Sequence, residues 1–589
     1  MAGKASPSRK HRIWPQYRQY LRYSHGDLRW FGVECLLLVL IAATNTAMIW
    51  LIGQPFNLIS QHQYDAILPL AWLFAALVVC NQSIHFANNI LVDWIGMRFM
   101  HRLRNAVFAK VLSLQHPQAV PFERGDLLNR LNQDIARLQE FVVNTPFYMV
   151  SALSILVFYI YMMVAINWHL ALLALAASPI FFLHHRLFAP RQRRLTEIQF
   201  KQEGDFQGFE QQALANLLGI SSFNAGEALT REHSGRFKQW MCTGIKRSVL
   251  NSGFSASLMS LIYFLGAVMV ALGVVKMGEG TLAPGELVSF LIFLGYLSVP
   301  LQTLAQVRFA NEGMLASAHR INAIQHLQAF VQDPAQVHEL PIRHADIRFE
   351  NVSFSYPDGT NIFNSISVTI HGGETVALVG PSGAGKTTFA LLLARYFDPT
   401  AGDIFIDDCD LKKSRVSDLR NAIGICWQQG FFMPDTIRAN LLLAKPEATE
   451  QELVAACQNA QAWLFIDNLP LRLDTRLAAD GTNLSAGQAQ RINLAQVLLK
   501  NSPILILDEA SSALDSATEK RLAEAVEFTR HGRTTLLIAY RYSSLRAARR
   551  VIYFNGNGTI TVGDHEHLYA EHAGYKQAVD WQIQQAKTN

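Results

Sequence analysis

Six stretches within the first 310 residues are each long and apolar enough to cross a bilayer, and they constrain the fold more than any other feature. They lie near 31–53, 66–92, 142–165, 168–188, 253–275 and 286–308. A membrane helix needs about 20 mostly apolar residues. Beyond residue 341 the composition is that of an ordinary soluble domain. The split explains the average: 50% of the 589 residues are hydrophobic and only 16% are charged, against about 25% charged in a typical soluble domain. A membrane part followed by a soluble part is the simplest reading.

The basic residues sit beside the apolar runs. Lys4, Arg9, Lys10, Arg12, Arg18, Arg22 and Arg29 precede the first one. That run is too long for a signal-peptide core and lacks a small-residue cleavage pattern, so it reads as a retained helix. Basic flanks hold cytoplasmic helix ends in place, and the net charge of +5 is assigned to that role rather than to nucleic acid. The cysteines (Cys35, Cys80, Cys242, Cys409, Cys426, Cys457) form no CxxC pair. Neither a zinc site nor a disulfide framework is indicated, and small buried thiols are expected.

Lysine and arginine in the connections set the orientation. Residues 54–65 and 166–168 carry none, and 276–284 carries only Lys276. The opposite side holds Arg98, Arg102, Arg104 and Lys110, then Arg191, Arg193, Arg194 and Lys201. That side, with both termini, is expected to be cytoplasmic. The long connections 93–141 and 189–252 read as helix, because in 99–113 apolar residues recur at three- and four-residue spacing. The helices should therefore continue past the bilayer and turn near 117–125 and 207–218.

Pro334 and Pro341 mark a linker. After it, β-branched runs alternate with helical patterns: 374–380, then 386–397, then 504–508. This predicts an α/β domain with a largely parallel sheet. No internal repeat or low-complexity tract is present.

Gly380-Pro381-Ser382-Gly383-Ala384-Gly385-Lys386-Thr387, followed by Thr388, matches the phosphate-binding loop GxxxxGK[ST]. Its glycines let backbone N–H groups wrap phosphates, Lys386 adds positive charge, and the Thr387 hydroxyl can reach Mg2+. An apolar strand precedes the loop and a helix follows it, as the mechanism requires. Ile504-Leu505-Ile506-Leu507-Asp508-Glu509 is an apolar strand ending in two carboxylates. Asp508 suits a metal site and Glu509 suits the base that polarises an attacking water.

Between these lies Leu484-Ser485-Ala486-Gly487-Gln488. It resembles the LSGGQ signature of ATP-binding-cassette (ABC) proteins, with alanine at the third position. The resemblance covers the whole C-terminal domain. It implies that Tyr356 stacks on adenine, that Gln428 contacts Mg2+ and the membrane domain, and that Ser512-Ala513-Leu514-Asp515 crosses to a partner domain. In that family the signature of one subunit closes over ATP held by the other, which implies a dimer. Ser485 and the N–H groups of a helix start suit a γ-phosphate. The membrane half resembles exporter-type ABC transporters through 122–131 (FERGDLLNRL) and 280–288 (GTLAPGELV).

The implied fold is an all-α six-helix transmembrane domain followed by an α/β P-loop ATPase domain with a helical subdomain. The expected order is a basic segment 1–30, a membrane domain 31–325, a linker 326–345 and an ATP-binding cassette 346–589. The implied cofactors are ATP and Mg2+. The implied setting is a bacterial inner (cytoplasmic) membrane, with the ATPase domain cytoplasmic. Two departures stand out. Where the family has a histidine, this chain reads Ile538-Ala539-Tyr540-Arg541. A tyrosine hydroxyl donates a hydrogen bond but stays neutral, so slower hydrolysis is expected. The stretch Ala478-Ala479-Asp480-Gly481 also lacks a glutamate that exporters often carry, which weakens one expected contact to the membrane domain.

Gln82, His85, Asn89 and Asp93 follow one another at helical steps and share a face, and Gln302 and Gln306 are one turn apart. They are candidates for a substrate cavity, with interhelical hydrogen bonding as the competing explanation. His184 and His185 read as interfacial packing rather than metal ligands. The chain is thus expected to export a hydrophobic or amphipathic molecule such as a lipid, peptide, siderophore or drug, as a homodimer or a heterodimer. A siderophore-type importer on the same fold is the alternative. A soluble ABC ATPase is excluded by the six spans. A peptide processor-exporter is disfavoured because no cysteine lies in the first 30 residues.

Overall fold

The computed structural model describes residues 13–114, 122, 124–176, 178–334, 336, 339–428, 430–508, 532–538 and 548–588. The chain divides into two compact units, one of Met1–Val111 and Phe122–His326, the other of Leu112–Pro121 and Leu327–Asn589.

Every regular element described in the first unit is helical. Helix α1 (Ile13–Leu21) and a 3-10 turn (Arg22–Asp27) lead into α2 (Leu28–Ser60) and α3 (Ile67–Ser113). Then come α4 (Arg124–Asn129), α5 (Ile135–Gln139), α6 (Thr145–Ile166), α7 (Trp168–Ala176), α8 (Ser178–Ala215) and α9 (Leu217–Ser222). The unit closes with α10 (Gly226–Gly278), α11 (Pro284–Tyr296) and α12 (Ser298–Gln325). Among the described residues five helical stretches are long and apolar enough to cross a membrane. The span expected at 168–188 is helical on both sides of residue 177, which lies outside the described residues.

Helices α3 and α10 run 47 and 53 residues, or about 70 and 80 Å at 1.5 Å per residue. The hydrocarbon layer is about 30 Å thick, so both extend well past it. The turn expected at 207–218 falls later. Helix α8 continues through Ala215, and the chain reverses through Asn216, α9 and Asn224, which takes φ +50°. The run Glu210–Ala215 consists of good helix formers, and only the asparagines break it. The other expected turn, at 117–125, lies largely outside the described residues. The last span is also interrupted. The helix stops at Leu297 and resumes as α12, because Pro300 has no N–H and its ring crowds the carbonyl four residues back.

Buried polar groups tie the helices together. Asp27 is 1% exposed and faces Arg98 at 3.2 Å and Arg102 at 2.7 Å. The Tyr20 hydroxyl donates to the Ala318 carbonyl at 3.2 Å and to Asn322 Oδ1 at 2.8 Å. Two π-helical turns, Arg130–Asp134 and Glu140–Asn144, flank α5. The first places buried Asp134 against α12. There the carboxylate accepts from Ser317 Oγ at 2.9 Å, Arg320 Nε at 2.6 Å and Arg320 Nη2 at 2.5 Å.

The second unit holds two sheets. Strands β1 (Ile347–Ser355), β2 (Asn361–Ile370), β4 (Ala401–Ile406) and β5 (Cys409–Asp410) pair antiparallel in the order β2-β1-β4-β5. This sheet goes beyond the largely parallel one expected. Strands β3 (Thr375–Val379), β6 (Ile423–Cys426), β7 (Ile504–Asp508), β8 (Thr534–Ile538), β9 (Arg550–Phe554) and β10 (Ile560–Gly563) form the other, in the order β10-β9-β3-β8-β7-β6. All its described pairs are parallel except β10 with β9. Helix α13 (Lys386–Leu393) lies between the sheets. Its Phe389 stacks on Phe349 of β1 at 4.0 Å and meets Phe554 of β9 edge-on at 5.8 Å.

A separate core joins α15 (Ile437–Leu442), α16 (Glu450–Asn459), α17 (Trp463–Ile466) and α18 (Ala486–Lys500), packing Ile437, Leu453, Cys457, Ile466 and Ile492 together. The short α14 (Val416–Ala422) precedes β6. The fold is therefore a helical unit with membrane-length apolar helices, followed in the chain by a unit of two sheets and packed helices.

Candidate functional site

Strand β3 is buried at every residue, and the chain leaves it through the loop 380–385 into α13. Gly380, Gly383 and Gly385 take φ values of +153°, +80° and +102°. Gly385 is fixed by more than its dihedral. A Cβ there would lie 2.7 Å from both Ile362 Cγ2 and Phe363 Cε1, so the backbone can approach this closely only without a side chain. Lys386 is 3% exposed. Its ammonium donates to the carbonyls of Gly380 at 2.8 Å and Pro381 at 2.9 Å, arching back over the loop. Pro381, Ser382, Gly383 and Thr387 are exposed, and Ala384 is half-buried.

The sheet register carries the other candidates to the same edge. Leu378 of β3 pairs with Ile538 of β8, and Asp508 of β7 pairs with the same Ile538. Cys426 of β6 pairs with Leu507. The phosphate loop starts just beyond Leu378, Asp508 ends β7, and Gln428 follows just after Cys426. With strands about 4.8 Å apart, β3, β8, β7 and β6 present these groups along the carboxyl edge of a parallel sheet, where ligands bind in such folds. Asp508 is 7% exposed, while Gln428 is exposed. Glu509, Asp515 and Tyr540 lie outside the described residues.

Thr387, Gln428 and Asp508 offer oxygen donors only. Burial pushes the neighbouring Cys426 thiol up to about 12, with the Asp508 charge adding to the effect, so no thiolate competes as a ligand. Among the described residues no group of three or more His, Cys, Asp or Glu residues could hold a metal ion. A hard cation that keeps several waters and shares phosphate oxygens fits such a donor set.

Tyr356 follows β1. Its hydroxyl and Thr388 Oγ1 are 2.9 Å apart, and its ring meets Phe354 and Phe397 edge-on at 5.0 and 5.3 Å. Thr388 is 6% exposed.

The segment Leu484–Gln488 starts α18. Ser485 is the N-cap, its Oγ accepting from Gln488 N–H at 3.2 Å while Gln488 Oε1 accepts from Ser485 N–H at 2.9 Å. This reciprocal capping box explains why serine and glutamine stand three apart, and the S-x-x-Q spacing already carries that signal. Ser485 and Ala486 are exposed, and Leu484 and Gly487 half-buried, so the N-terminus of a 15-residue helix faces outward.

In the membrane unit, Gln82, Asn89 and Asp93 are exposed, and His85 and Gln302 are half-buried. The Gln306 and His185 side chains lie outside the described residues. Sequence reasoning missed Asn81 and Asn88, which are the buried polar residues on α3, 1% and 8% exposed. Asn81 donates to Thr44 Oγ1 at 2.7 Å and Asn45 Oδ1 at 3.1 Å. His184 Nε2 and Ser257 Oγ are 2.7 Å apart, and its ring packs 4.9 Å from Phe188 and from Phe254.

A helical membrane unit and a P-loop unit with a capped signature helix define an ATP-hydrolysing membrane transporter. Residues 31–301 match the family model for the ABC transporter transmembrane region, and 363–512 match the model described as ABC transporter. The chain is 30% identical over 579 residues to an ATP-dependent lipid A-core flippase of Syntrophus aciditrophicus, covering 97% of this chain and 95% of that one. It is 30% identical over 534 residues to a fatty acid ABC transporter ATP-binding/permease protein of Mycobacterium bovis, covering 89% and 82%. A solved bacterial Atm1-family ABC exporter with ATP bound shares the fold with a TM-score of 0.78, at 24% identity and covering 95% of this chain and 99% of that one. The chain belongs to the ABC transporter family, as an exporter-type half-transporter that couples ATP hydrolysis to transport across a membrane it spans several times.

Proposed function

We propose that two copies of this chain form an exporter that carries a lipid-like amphiphile from the cytoplasmic side of a bacterial inner membrane. The observation that carries the reading is the near-full-length identity to a lipid A-core flippase. The fatty acid transporter among the relatives points to the same substrate chemistry. The exposed row Gln82, Asn89 and Asp93 on α3, with half-buried His85, agrees with it. None of these four hydrogen-bonds to another described residue, and polar groups at membrane depth face a cavity or a partner rather than lipid. With Gln302 and Gln306 they form the polar part of the substrate wall. The basic connections put the ATPase unit and both termini in the cytoplasm.

In this reading Tyr356 stacks on adenine, and the loop 380–388 binds the phosphates through its N–H groups and Lys386. Thr387, Asp508 and Gln428 would hold Mg2+, which when bound would supply positive charge against the phosphate oxygens. Glu509 orients the attacking water and takes its proton. Ser485 and the free N–H groups at the start of α18 meet the γ-phosphate of the partner's ATP, and Asp515 lies in the loop that crosses to the partner. Lys386, the signature and Glu509 are all present in this chain, which favours a homodimer over a heterodimer with an intact second site.

Two results check the reading. Lipids with long acyl chains and an anionic head group should stimulate the ATPase of the reconstituted protein. Alanine at His85 and Asn89 should remove that stimulation while leaving the basal rate within about two-fold. Stimulation by peptides or iron chelates alone would contradict the lipid assignment. Separately, Tyr540→His should raise turnover by about ten-fold, because a charge-assisted hydrogen bond to phosphate is roughly twice as strong as a neutral one. Unchanged or lower turnover would show that Tyr540 does not limit the site.

A further inference from the structure

We infer that Phe330, in the linker, is a positioning residue of the nucleotide site: it sets the plane of the adenine platform through Phe397. The inference rests on Tyr356 being that platform, as proposed above. Helix α12 ends at Gln325, and the following residues are held tightly to the ATPase unit. The Phe330 ring stacks on Phe397 at 5.0 Å and 29°. Val331 is 5% exposed. The Gln332 carbonyl accepts from Arg395 Nη2 at 3.2 Å, and the Asp333 carboxylate accepts from Val416 N–H at 2.8 Å.

Arg395 and Phe397 follow the end of α13, the helix after the phosphate loop, and Val416 starts α14. Arg395 is 4% exposed and also donates to Asp398 Oδ1 at 2.9 Å and the Ser414 carbonyl at 2.8 Å. Phe397 is 3% exposed and meets the Tyr356 ring in a T-shaped contact at 5.3 Å and 89°. Tyr356 is thus held at both ends, its ring by Phe397 and Phe354 and its hydroxyl by Thr388. Phe330 stacks on the same Phe397 ring that Tyr356 meets. Without that ring Phe397 can tilt, and the edge-to-face geometry that orients Tyr356 is lost.

The test uses the full-length chain in nanodiscs, with Phe330→Leu, Tyr356→Ala and the double variant. Leucine keeps apolar volume and removes only the ring. Phe330→Leu should raise KM for ATP by about three- to ten-fold with kcat within two-fold. The inhibition constant of tripolyphosphate, which has no base to stack, should not change. Phe330→Tyr, which keeps the ring, should restore the wild-type KM. In the Tyr356→Ala background Phe330→Leu should add nothing. An unchanged KM, an equal loss of tripolyphosphate affinity, or full additivity with Tyr356→Ala would each overturn the inference. If Tyr356→Ala itself left KM unaltered, the platform assignment would fail instead, whatever Phe330 does.

Discussion

Lys386→Ala should lower ATP hydrolysis by two to three orders of magnitude, about the loss seen when one preorganised donor is removed from a charge-stabilising site. The lysine is nearly buried and already bent over its own loop, donating to the Gly380 and Pro381 carbonyls. A phosphate arriving at the loop therefore meets an ammonium that is close and oriented, and little reorganisation is needed to use it. Alanine removes this charge and also the tie that draws the loop inward. The stability cost should be small, because Pro381 is exposed and Gly380 half-buried, so water can serve the freed carbonyls. Thermal unfolding of the variant should stay close to wild type while single-turnover hydrolysis collapses. A rate within a few-fold of wild type would remove Lys386 from the chemistry.

The second large effect lies in the membrane unit and concerns stability. Arg320→Met should destabilise the protein by about 3 kcal/mol, the lower end of the range for breaking a buried ion pair from one side. Asp134 keeps 2% of its side chain exposed. With Arg320 gone its remaining described partners are Ser317 at 2.9 Å and the more distant Arg137 at 3.9 Å. A carboxylate so nearly dry and so weakly held is costly. The lower end applies because the Arg320 side chain is 39% exposed, so some water reaches the pair. Asp134→Asn combined with Arg320→Met should recover most of the loss, since no uncompensated charge then remains. Thermal unfolding in detergent of the two single variants and the double one measures the coupling. Equal destabilisation in the Arg320→Met single and the double variant would mean that the charge of Asp134 is not the cause.

What could be read in advance was whatever a local pattern encodes. The spans follow from apolar length, the phosphate loop from its glycines and lysine, and the parallel strands 375–379 and 504–508 from short β-branched runs. Less was legible where distant residues decide. Asp134 meets Ser317 and Arg320 across more than 180 positions of chain, and no window of sequence holds both. On α3 the face read as polar is the open one, while Asn81 faces Thr44 and Asn45 of α2. Periodicity places residues on a face but does not say which neighbour covers it. The late turn at Asn216 and the break at Leu297 were visible as asparagine and Pro300, but they were outweighed by the apolar or helix-forming residues around them. Register alignment of Leu378, Ile538 and Asp508 became visible only with the strand order, because β8 enters the sheet between strands that precede it in the chain.

The most direct measurement is of movement itself. In inside-out vesicles carrying the purified protein, ATP added outside should carry a fluorescent, acyl-chain-bearing lipid from the outer to the inner leaflet. The lipid then becomes protected from a membrane-impermeant quencher, and Lys386→Ala should abolish that protection. ATP hydrolysis with no change in leaflet distribution, or ATP-driven movement in the opposite direction, would contradict the account of this chain as a lipid-exporting half-transporter.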